Sequence, residues 1–430
     1  MSSTCTNGLT ATRAAAQHKS DPLSDLGRRT RDALRQLLPM LRRNAQESER
    51  LGALAPETLK AVSELGVFRL TLPAQYGGLA LGARDIAEII ATLGRGDAAV
   101  GWLAIVSTAV RGELAFPERF VNEMFANAAT WQGPLVAGAN LLSPATGKAR
   151  KVDGGWMISG RWRYASGSKH AAWAIVGVEY TAEDGTCHRA RAVLPREQFR
   201  VLDDWHVMGQ IGSCSNSITT VGEDEFVPEH RLFNMADLPK IAGDLRGRYD
   251  GLAFRFGPIG QLLLAPVSFA ALSLGIAEAC LESFVEQAPR LKPFNLDYPS
   301  VAEMPSVQVV AGKARAAINV ARRTICGYAD ELDRRALDDE DFAAQDEPVI
   351  SMDLIFAINL LAQAIDSMQL ALGSSTISLS NPIQRHVRDI RVLSTHGALR
   401  LDPMAEINGK QILNVATSNR MANFDGPVRK

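Results

Sequence analysis

Between residues 136 and 240 the chain reads as strands and turns, and on both sides of that stretch it reads as helices. That ordering limits the possible folds more than any other feature. Within the stretch, Trp156-Met157-Ile158-Ser159-Gly160, Trp173-Ala174-Ile175-Val176-Gly177-Val178 and Arg191-Ala192-Val193-Leu194 are β-type runs. They alternate with turn signals at Val152-Asp153-Gly154-Gly155 and Asp184-Gly185, and the stretch closes on Phe226-Val227-Pro228-Glu229. Turns at intervals of about 8–12 residues imply a compact β domain. Residues 22–135 instead place apolar side chains at three- and four-residue steps, as in Leu34, Leu37, Leu38 and Leu41. Pro56 fits the first turn of a further helix, and Leu72-Pro73-Ala74-Gln75-Tyr76-Gly77-Gly78 is a turn between helices. Residues 241–430 return to helical spacing, with Val307, Val310, Ala314 and Ile318, then Leu354, Ile358, Leu361 and Ile365. Long helices with few turns indicate an up-and-down four-helix bundle. The expected fold is thus mainly α, in the α+β class: an N-terminal helical domain, a central β domain and a C-terminal bundle. Residues 1–21 read as a disordered tail, with a transit peptide as the alternative. The run Asp338-Asp339-Glu340-Asp341 reads as a solvated connection.

Composition removes several function classes. Lys and Arg number 46 against 47 Asp and Glu, so no positive excess exists to hold a nucleic acid or an anionic membrane. The five cysteines, Cys5, Cys187, Cys214, Cys280 and Cys326, form no C-x-x-C pair and no zinc-type spacing, which fits a reducing cytoplasm. Phe256 to Ala277 carries no charge and is long enough to span a bilayer. Gln261, Pro266 and the serines within it, and Glu278, Glu282 and Glu286 after it, favour a buried bundle helix.

The motif search adds absences. Gly94-Arg95-Gly96-Asp97-Ala98-Ala99 echoes a dinucleotide loop but follows no strand and opens no βαβ unit. No P-loop, no G-x-S-x-G elbow and no H-E-x-x-H occurs, and the seven histidines are too dispersed to propose a metal site. From the residues alone the reading stops at a helix–β–helix protein whose interdomain cleft is the place for a ligand.

Three segments carry a resemblance: Trp162-x-Tyr164-x-Ser166-Gly167-x-x-His170-x-x-Trp173, then Trp205-His206-Val207-x-Gly209-x-x-Gly212-Ser213-x-Ser215-Asn216, then Asn381-Pro382-Ile383-Gln384-Arg385-x-x-Arg388-Asp389-Ile390 followed by His396. In this order and spacing they resemble the group D two-component flavin-dependent monooxygenases, a branch of the acyl-CoA dehydrogenase fold. The resemblance covers roughly residues 25–425. It implies an enzyme that takes reduced FMN or FAD from a separate NAD(P)H:flavin reductase, uses O2 as co-substrate through a C4a-hydroperoxide, and oxygenates a small aromatic, heteroaromatic or amine substrate. A homotetramer built as a dimer of dimers is expected from the residues, since the uncharged Phe256–Ala277 stretch and the apolar patterns at 354–372 offer more hydrophobic surface than one small bundle needs. The same-fold alternative is an acyl-CoA dehydrogenase or oxidase, and the alternative of another class is a non-catalytic flavin-binding scaffold. A dehydrogenase needs a carboxylate base to take the proton beside the thioester. Ser394-Thr395-His396-Gly397 and Ala265-Pro266, where the family's bases align, hold no acid.

The resemblance also assigns roles. Ser166 meets flavin N5, and His396 serves as acid/base or positions the reacting oxygen, an imidazole being able to give and take a proton near neutrality. Tyr164 and Trp205 offer flat faces to the ring system. Ser213, Ser215 and Asn216 line the flavin tail. Arg290 or Lys292 faces the cofactor phosphate of a neighbouring subunit, and Gln308, Gly373, Ser374 and Ser375 line the cofactor across the dimer contact. On the substrate side the segment from Trp102 to Glu113 offers Trp102, Ser107 and Arg111, with internal pairing as the alternative for Arg111. The phenol-binding histidine common in the branch has no counterpart between Trp102 and Glu113. His170 and His206 lie within the motifs, and each is equally suited to capping a turn.

Overall fold

A computed structural model of the chain describes residues 23–138, 146–241, 243–294 and 296–415, so the expected tail at 1–21 lies outside the described residues. Five helices come first: α1 (Asp25–Leu51), α2 (Pro56–Glu64), α3 (Ala83–Gly96), α4 (Ala98–Thr108) and α5 (Glu118–Phe125), with a 3₁₀ segment Ala109–Ala115 continuing α4. Ten strands follow: β1 (Val136–Ala137), β2 (Gly147–Val152), β3 (Gly155–Ser159), β4 (Arg161–Trp162), β5 (Trp173–Thr181), β6 (Cys187–Pro195), β7 (Phe199–Val201), β8 (Ile218–Thr220), β9 (Glu225–Pro228) and β10 (Leu232–Asn234). After a short α6 (Leu238–Ile241) come α7 (Pro258–Gln287), α8 (Pro305–Leu337), α9 (Asp346–Leu372), α10 (Pro382–Ser394) and α11 (Leu401–Ile412).

The helix boundaries follow from local chemistry. Ser24 caps α1 by accepting the Gly27 N–H at 2.9 Å, and Gly52 ends it in the left-handed conformation. The turn at Leu72–Gly78 needs its glycines. Gly77 sits at φ +69°, and a Cβ on Gly78 would stand 2.0 Å from the Leu72 carbonyl oxygen. Two helix starts are capped from a distance. The Asp333 carboxylate of α8 accepts the Ala83 and Arg84 amides of α3 at 2.6 and 2.9 Å, and burial pushes its pKa up to about 7. Asp341 accepts the Ile259 and Gly260 amides of α7, each at 3.0 Å. The acidic run 338–341 is therefore not merely a solvated connection: one of its carboxylates closes the start of the central helix, where the helix dipole favours a negative charge.

The uncharged stretch at 256–277 is the central helix α7, packed against α3, α8, α9 and α10. Gly94 and Gly275 let α3 and α7 approach closely: a Cβ on Gly275 would stand 2.0 Å from the Ala91 carbonyl oxygen. The dinucleotide-like segment is thus a helix-packing element, followed by Asp97, which caps α4 by accepting the Ala99 amide at 2.9 Å. Segments Ala98–Ala115, Pro258–Arg290 and Asp346–Leu372 are each long and apolar enough to cross a membrane, and each buries more than half of its most apolar window inside the protein. A fully buried Leu or Ile contributes about 1.5–3 kcal/mol, so residues such as Leu263, Leu272, Ile276, Leu354, Leu361 and Ile365 account for much of the bundle's cohesion.

Seven described strands form one sheet, ordered β10-β6-β5-β2-β3-β9 with β1 alongside β5, and a three-stranded sheet runs β4-β8-β7. The β5–β6 pairing is antiparallel from Trp173 opposite Pro195 to Thr181 opposite Cys187, while β2 and β1 lie parallel to β5. Trp162 is fully buried and donates its indole N–H to the Gly177 carbonyl at 2.8 Å, tying the small sheet to the large one. This tie fixes where β4 releases the chain toward Ser166.

Candidate active site

Past β4 the chain makes a tight strap from Arg163 to Ser168. Tyr164 adopts φ +62° and Gly167 φ +79°. The first is an uncommon conformation for a side-chain-bearing residue, held here by the surrounding hydrogen bonds. Ala165 N donates to the Asn216 carbonyl at 3.0 Å, Gly167 N to the Ser213 carbonyl at 2.8 Å, and Gly138 N to the Ser166 carbonyl at 2.9 Å. The second strand of the strap, Gln210 to Ser217, is also strained, with Gln210 at φ +56° and Cys214 at φ +40°. Backbone pairing thus sets the side chains of Ser166, Ser213 and Ser215 together. Ser166 Oγ lies 2.6 Å from Ser215 Oγ, and Ser215 Oγ lies 3.1 Å from Ser213 Oγ. Trp102 Nε1 of α4 donates to Ser166 Oγ at 3.0 Å.

Trp102 is the hinge of the constellation. Its ring stacks on Phe269 of α7 at 5.5 Å and meets His396 edge-on at 5.4 Å, with His396 and Phe269 5.6 Å apart. His396 follows α10. Its Nδ1 accepts the Ala398 N–H at 3.4 Å, which in the neutral ring puts the hydrogen on Nε2. Packing against the two rings desolvates the imidazolium and lowers the pKa from its ordinary value. Residues far apart in sequence, Trp102, Ser166, Ser213, Ser215, Phe269 and His396, therefore form one polar–aromatic cluster.

The remaining candidates lie in two groups. Close to the strap, Tyr164 is 54% exposed and meets Trp205 edge-on at 6.3 Å, while Trp205 Nε1 donates to the Gln210 carbonyl at 3.2 Å. Asn216 is buried with its Oδ1 unpartnered, and both amide atoms of Gln210 are likewise unpartnered. Farther off, on the bundle surface, Arg290 pairs with Glu286 at 3.2 Å and Gln308 reaches the Ala302 carbonyl at 3.2 Å, while Lys292, Gly373, Ser374 and Ser375 are exposed. One substrate-side reading needs correction, and one alternative falls away. Ser107 is buried and donates to the Leu103 carbonyl of its own helix at 2.8 Å, so it presents no hydroxyl to the cleft. Among the described residues Arg111 has no internal ion pair: its guanidinium lies over the Phe254 ring at 5.6 Å, and Nη1 is buried without a hydrogen-bond partner. The histidines of the motifs are structural. His170 Nε2 accepts the Leu54 amide at 3.2 Å, and burial pulls its pKa down to about 4. His206 Nε2 sits 3.1 Å from the Asp203 carbonyl on an exposed turn.

Phe269 and Asp389 escaped the sequence reading as site residues. Phe269 was hidden because the uncharged stretch has no periodic polar face to orient it. Asp389 is fully buried, and its Oδ1 accepts the Gln210 amide at 2.7 Å, clamping the strained loop to α10. Burial pushes its pKa up to about 7. Beside it Arg388 bonds Glu49 at 2.8 Å and the Met208 carbonyl. The Arg388-Asp389 pair was visible, but its partner Gln210 was not.

The geometry fits a flavin. The strap offers hydroxyls, an orphaned buried amide oxygen and an exposed aromatic face, and where the family's base aligns, the chain after α10 brings an imidazole. Comparisons with known proteins agree. Residues 26–115 match the acyl-CoA dehydrogenase N-terminal domain and residues 267–400 its C-terminal domain, together just over half of the chain. A pigment production hydroxylase of a Rhodococcus strain is 28% identical over 395 residues, covering 90% of this chain and 97% of that one. The oxygenase component of p-hydroxyphenylacetate 3-hydroxylase from Acinetobacter baumannii is 24% identical, covering 89% of each chain. Among solved structures, the 3-HSA hydroxylase of Rhodococcus sp. RHA1 superposes with a TM-score of 0.79 at 24% identity, over 93% of this chain and all of that one. XiaF from Streptomyces, solved with FADH2 and glycerol, gives 0.78 at 23% identity, over 94% of this chain and 97% of that one. The chain belongs to the acyl-CoA dehydrogenase family, among the flavin-dependent oxygenase components rather than the dehydrogenases.

Proposed function

We propose that the chain is the oxygenase component of a two-component monooxygenase that inserts one atom of O2 into a small aromatic substrate, using reduced FMN or FAD delivered by a separate NAD(P)H:flavin reductase. The observation that carries this reading is the convergence on one indole, Trp102, of the Ser166 hydroxyl at its Nε1–H edge, with Ser215 and Ser213 linked behind it, and of the edge-on His396 imidazole. The bound reduced flavin supplies the electrons that activate O2. Ser166 Oγ already accepts the Trp102 N–H, so its own hydrogen is available to Ser215 or to a ring nitrogen of the cofactor. Tyr164 and Trp205 would cover the strap side of the cofactor, and the orphaned Asn216 Oδ1 would accept one of its polar hydrogens. Trp102 and Phe269 wall off water around the reacting carbon. His396, neutral at pH 7 because its pKa is lowered, would donate a hydrogen bond from Nε2–H to the reacting oxygen, or in its other tautomer take a substrate proton on Nε2.

The assembly is proposed as a tetramer built from dimers. Val349, Phe356 and Leu370 recur at multiples of seven along α9 and are exposed, and Ile377 and Leu379 just beyond it are exposed as well. That apolar stripe is the surface a second copy would cover, bringing Arg290, Lys292, Gln308 and Gly373–Ser375 to the cofactor of the neighbour. The four described cysteines are free thiols, in keeping with a cytoplasmic setting beside the reductase. The test supplies the protein with reductase, NADH, flavin and ¹⁸O2 and a panel of phenols and arylalkanoic acids. One ¹⁸O atom per product is expected. Release of H2O2 alone across the panel, or reduction of bound flavin by an acyl-CoA thioester, overturns the reading.

A further inference from the structure

Arg111 is the exception among the buried arginines. Arg69, similarly buried, donates to three carbonyls, those of Ser63, Gly77 and Trp131. Arg191 lies over Phe116 and pairs with Glu113, and Arg231 lies over Trp173 and pairs with Glu123. Arg111 is 6% exposed, lies over Phe254, and has no hydrogen-bond or ion-pair partner among the described residues. Glu113, two residues on, is engaged by Arg191, and its free Oε2 makes no ion pair with Arg111. Burial pulls the guanidinium down only to about 10, so it remains a cation at neutral pH. A buried charge without a counter-charge is costly, and one retained in a folded protein is expected to meet an anion.

Its place in the fold says which anion. Helices α4 and α7 run antiparallel: a Cβ on Gly101 would touch Leu272, Trp102 stacks on Phe269, and Arg111 reaches Phe254 just ahead of α7. The Trp102–Phe269–His396 cluster is at one end of this seam and Arg111 at the other, nine residues along, roughly 14 Å by helical rise. Between them the side chains are apolar: half-buried Val106 and exposed Ala109 on one side, exposed Leu262 and Ala265 on the other. We propose that Arg111 anchors the carboxylate of an aromatic acid whose ring lies over this apolar seam against Trp102 and Phe269, so that the preferred substrate is an arylalkanoic acid. This rests on the oxygenase reading only in assigning the Trp102 end to the reacting ring.

The test is equilibrium binding to the anaerobic, reduced-flavin protein, with no turnover required. Phenylacetate and 3-phenylpropanoate are compared with their amides. Wild type is expected to bind the acids at least tenfold more tightly than the amides. In Arg111→Gln that ratio should fall to near one with flavin affinity unchanged, and Arg111→Lys should restore part of it. A ratio that Arg111→Gln leaves unaltered, or wild type that does not distinguish acid from amide, overturns the proposal. As a control on folding, ligand-free Arg111→Met should melt at or above the wild-type temperature, because it removes an unpartnered charge. Melting well below wild type would mean that the arginine is a structural element of the Phe254 region, which also overturns it. Acid selectivity without any oxygenated product would leave this inference standing and remove the proposed activity.

Discussion

The strap beside Trp102 and the outer face of the bundle make opposite use of polar groups. In the strap nearly every donor has an acceptor: Ala165, Gly167 and Gly138 amides meet carbonyls, the three serine hydroxyls meet one another, and Trp102 meets Ser166. On the bundle surface Arg290 pairs with its near neighbour Glu286, and Phe356, Leu370, Ile377 and Leu379 are exposed. Apart from the side-chain amides of Gln210 and Asn216, the first region is satisfied within a protomer. The other has surface left over. The lesson is that half of the proposed cofactor site is preorganised, and preorganised donors need not reorder when charge develops. The other half would be assembled by association.

The comparison breaks most visibly at His396, the group at the meeting point. His396→Ala is expected to lower product formation by ~10²–10⁴-fold while NADH is still consumed through the reductase and H2O2 is released. Product yield per NADH across pH 6–9 measures it, and a normal yield would leave His396 as a bundle histidine only.

Next in size is the clamp behind the strap. Asp389→Ala leaves the buried Gln210 amide unpaired and should destabilise the protein by ~1–3 kcal/mol, read as a drop in melting temperature. Asp389→Asn keeps an acceptor and sharpens the point through pH. The folded pKa of Asp389 is raised to about 7, above its ordinary 3.8, so the folded state holds the proton more tightly than the unfolded one. Its contribution is most favourable below about pH 4 and is lost as pH rises toward 7. Asp389→Asn should therefore gain stability relative to wild type between pH 4 and 7 and hold that gain above pH 7. A difference that is flat with pH would mean that this carboxyl is ionised throughout.

Smaller effects separate the two regions directly. Ser166→Ala removes one hydrogen bond from the preorganised half. It should raise H2O2 leakage about tenfold, corresponding to ~1–2 kcal/mol, without changing the oligomer. Leu370→Lys with Ile377→Glu acts on the other half. It should reduce the sedimenting mass and weaken flavin binding severalfold, while the monomer's melting temperature stays within about 0.5 kcal/mol of the starting stability. Loss of flavin affinity with the assembly intact would contradict the two-half description.

The order helix, β domain, bundle was legible because hydrophobic periodicity is local, and the three motif segments were legible because each is continuous in sequence. Ser166, Ser213, Ser215 and His396 could be chosen on that basis. What sequence could not reach depended on through-space pairing. Asp341 looked solvated until it met the start of α7, and Ser107 looked available until its hydroxyl met the carbonyl one turn back. Phe269 had no signal within an uncharged stretch that lacks a periodic polar face. The unpaired state of Arg111 is a property of everything around it rather than of its neighbours in the chain. Sequence by itself determined the elements, their order and the chemistry carried on each, since these rest on contacts three or four residues apart. Tertiary structure alone decided which groups are satisfied and which remain open, since desolvation and hydrogen bonding depend on partners from α4, the strap, α7 and α10, separated by up to 294 positions between Trp102 and His396.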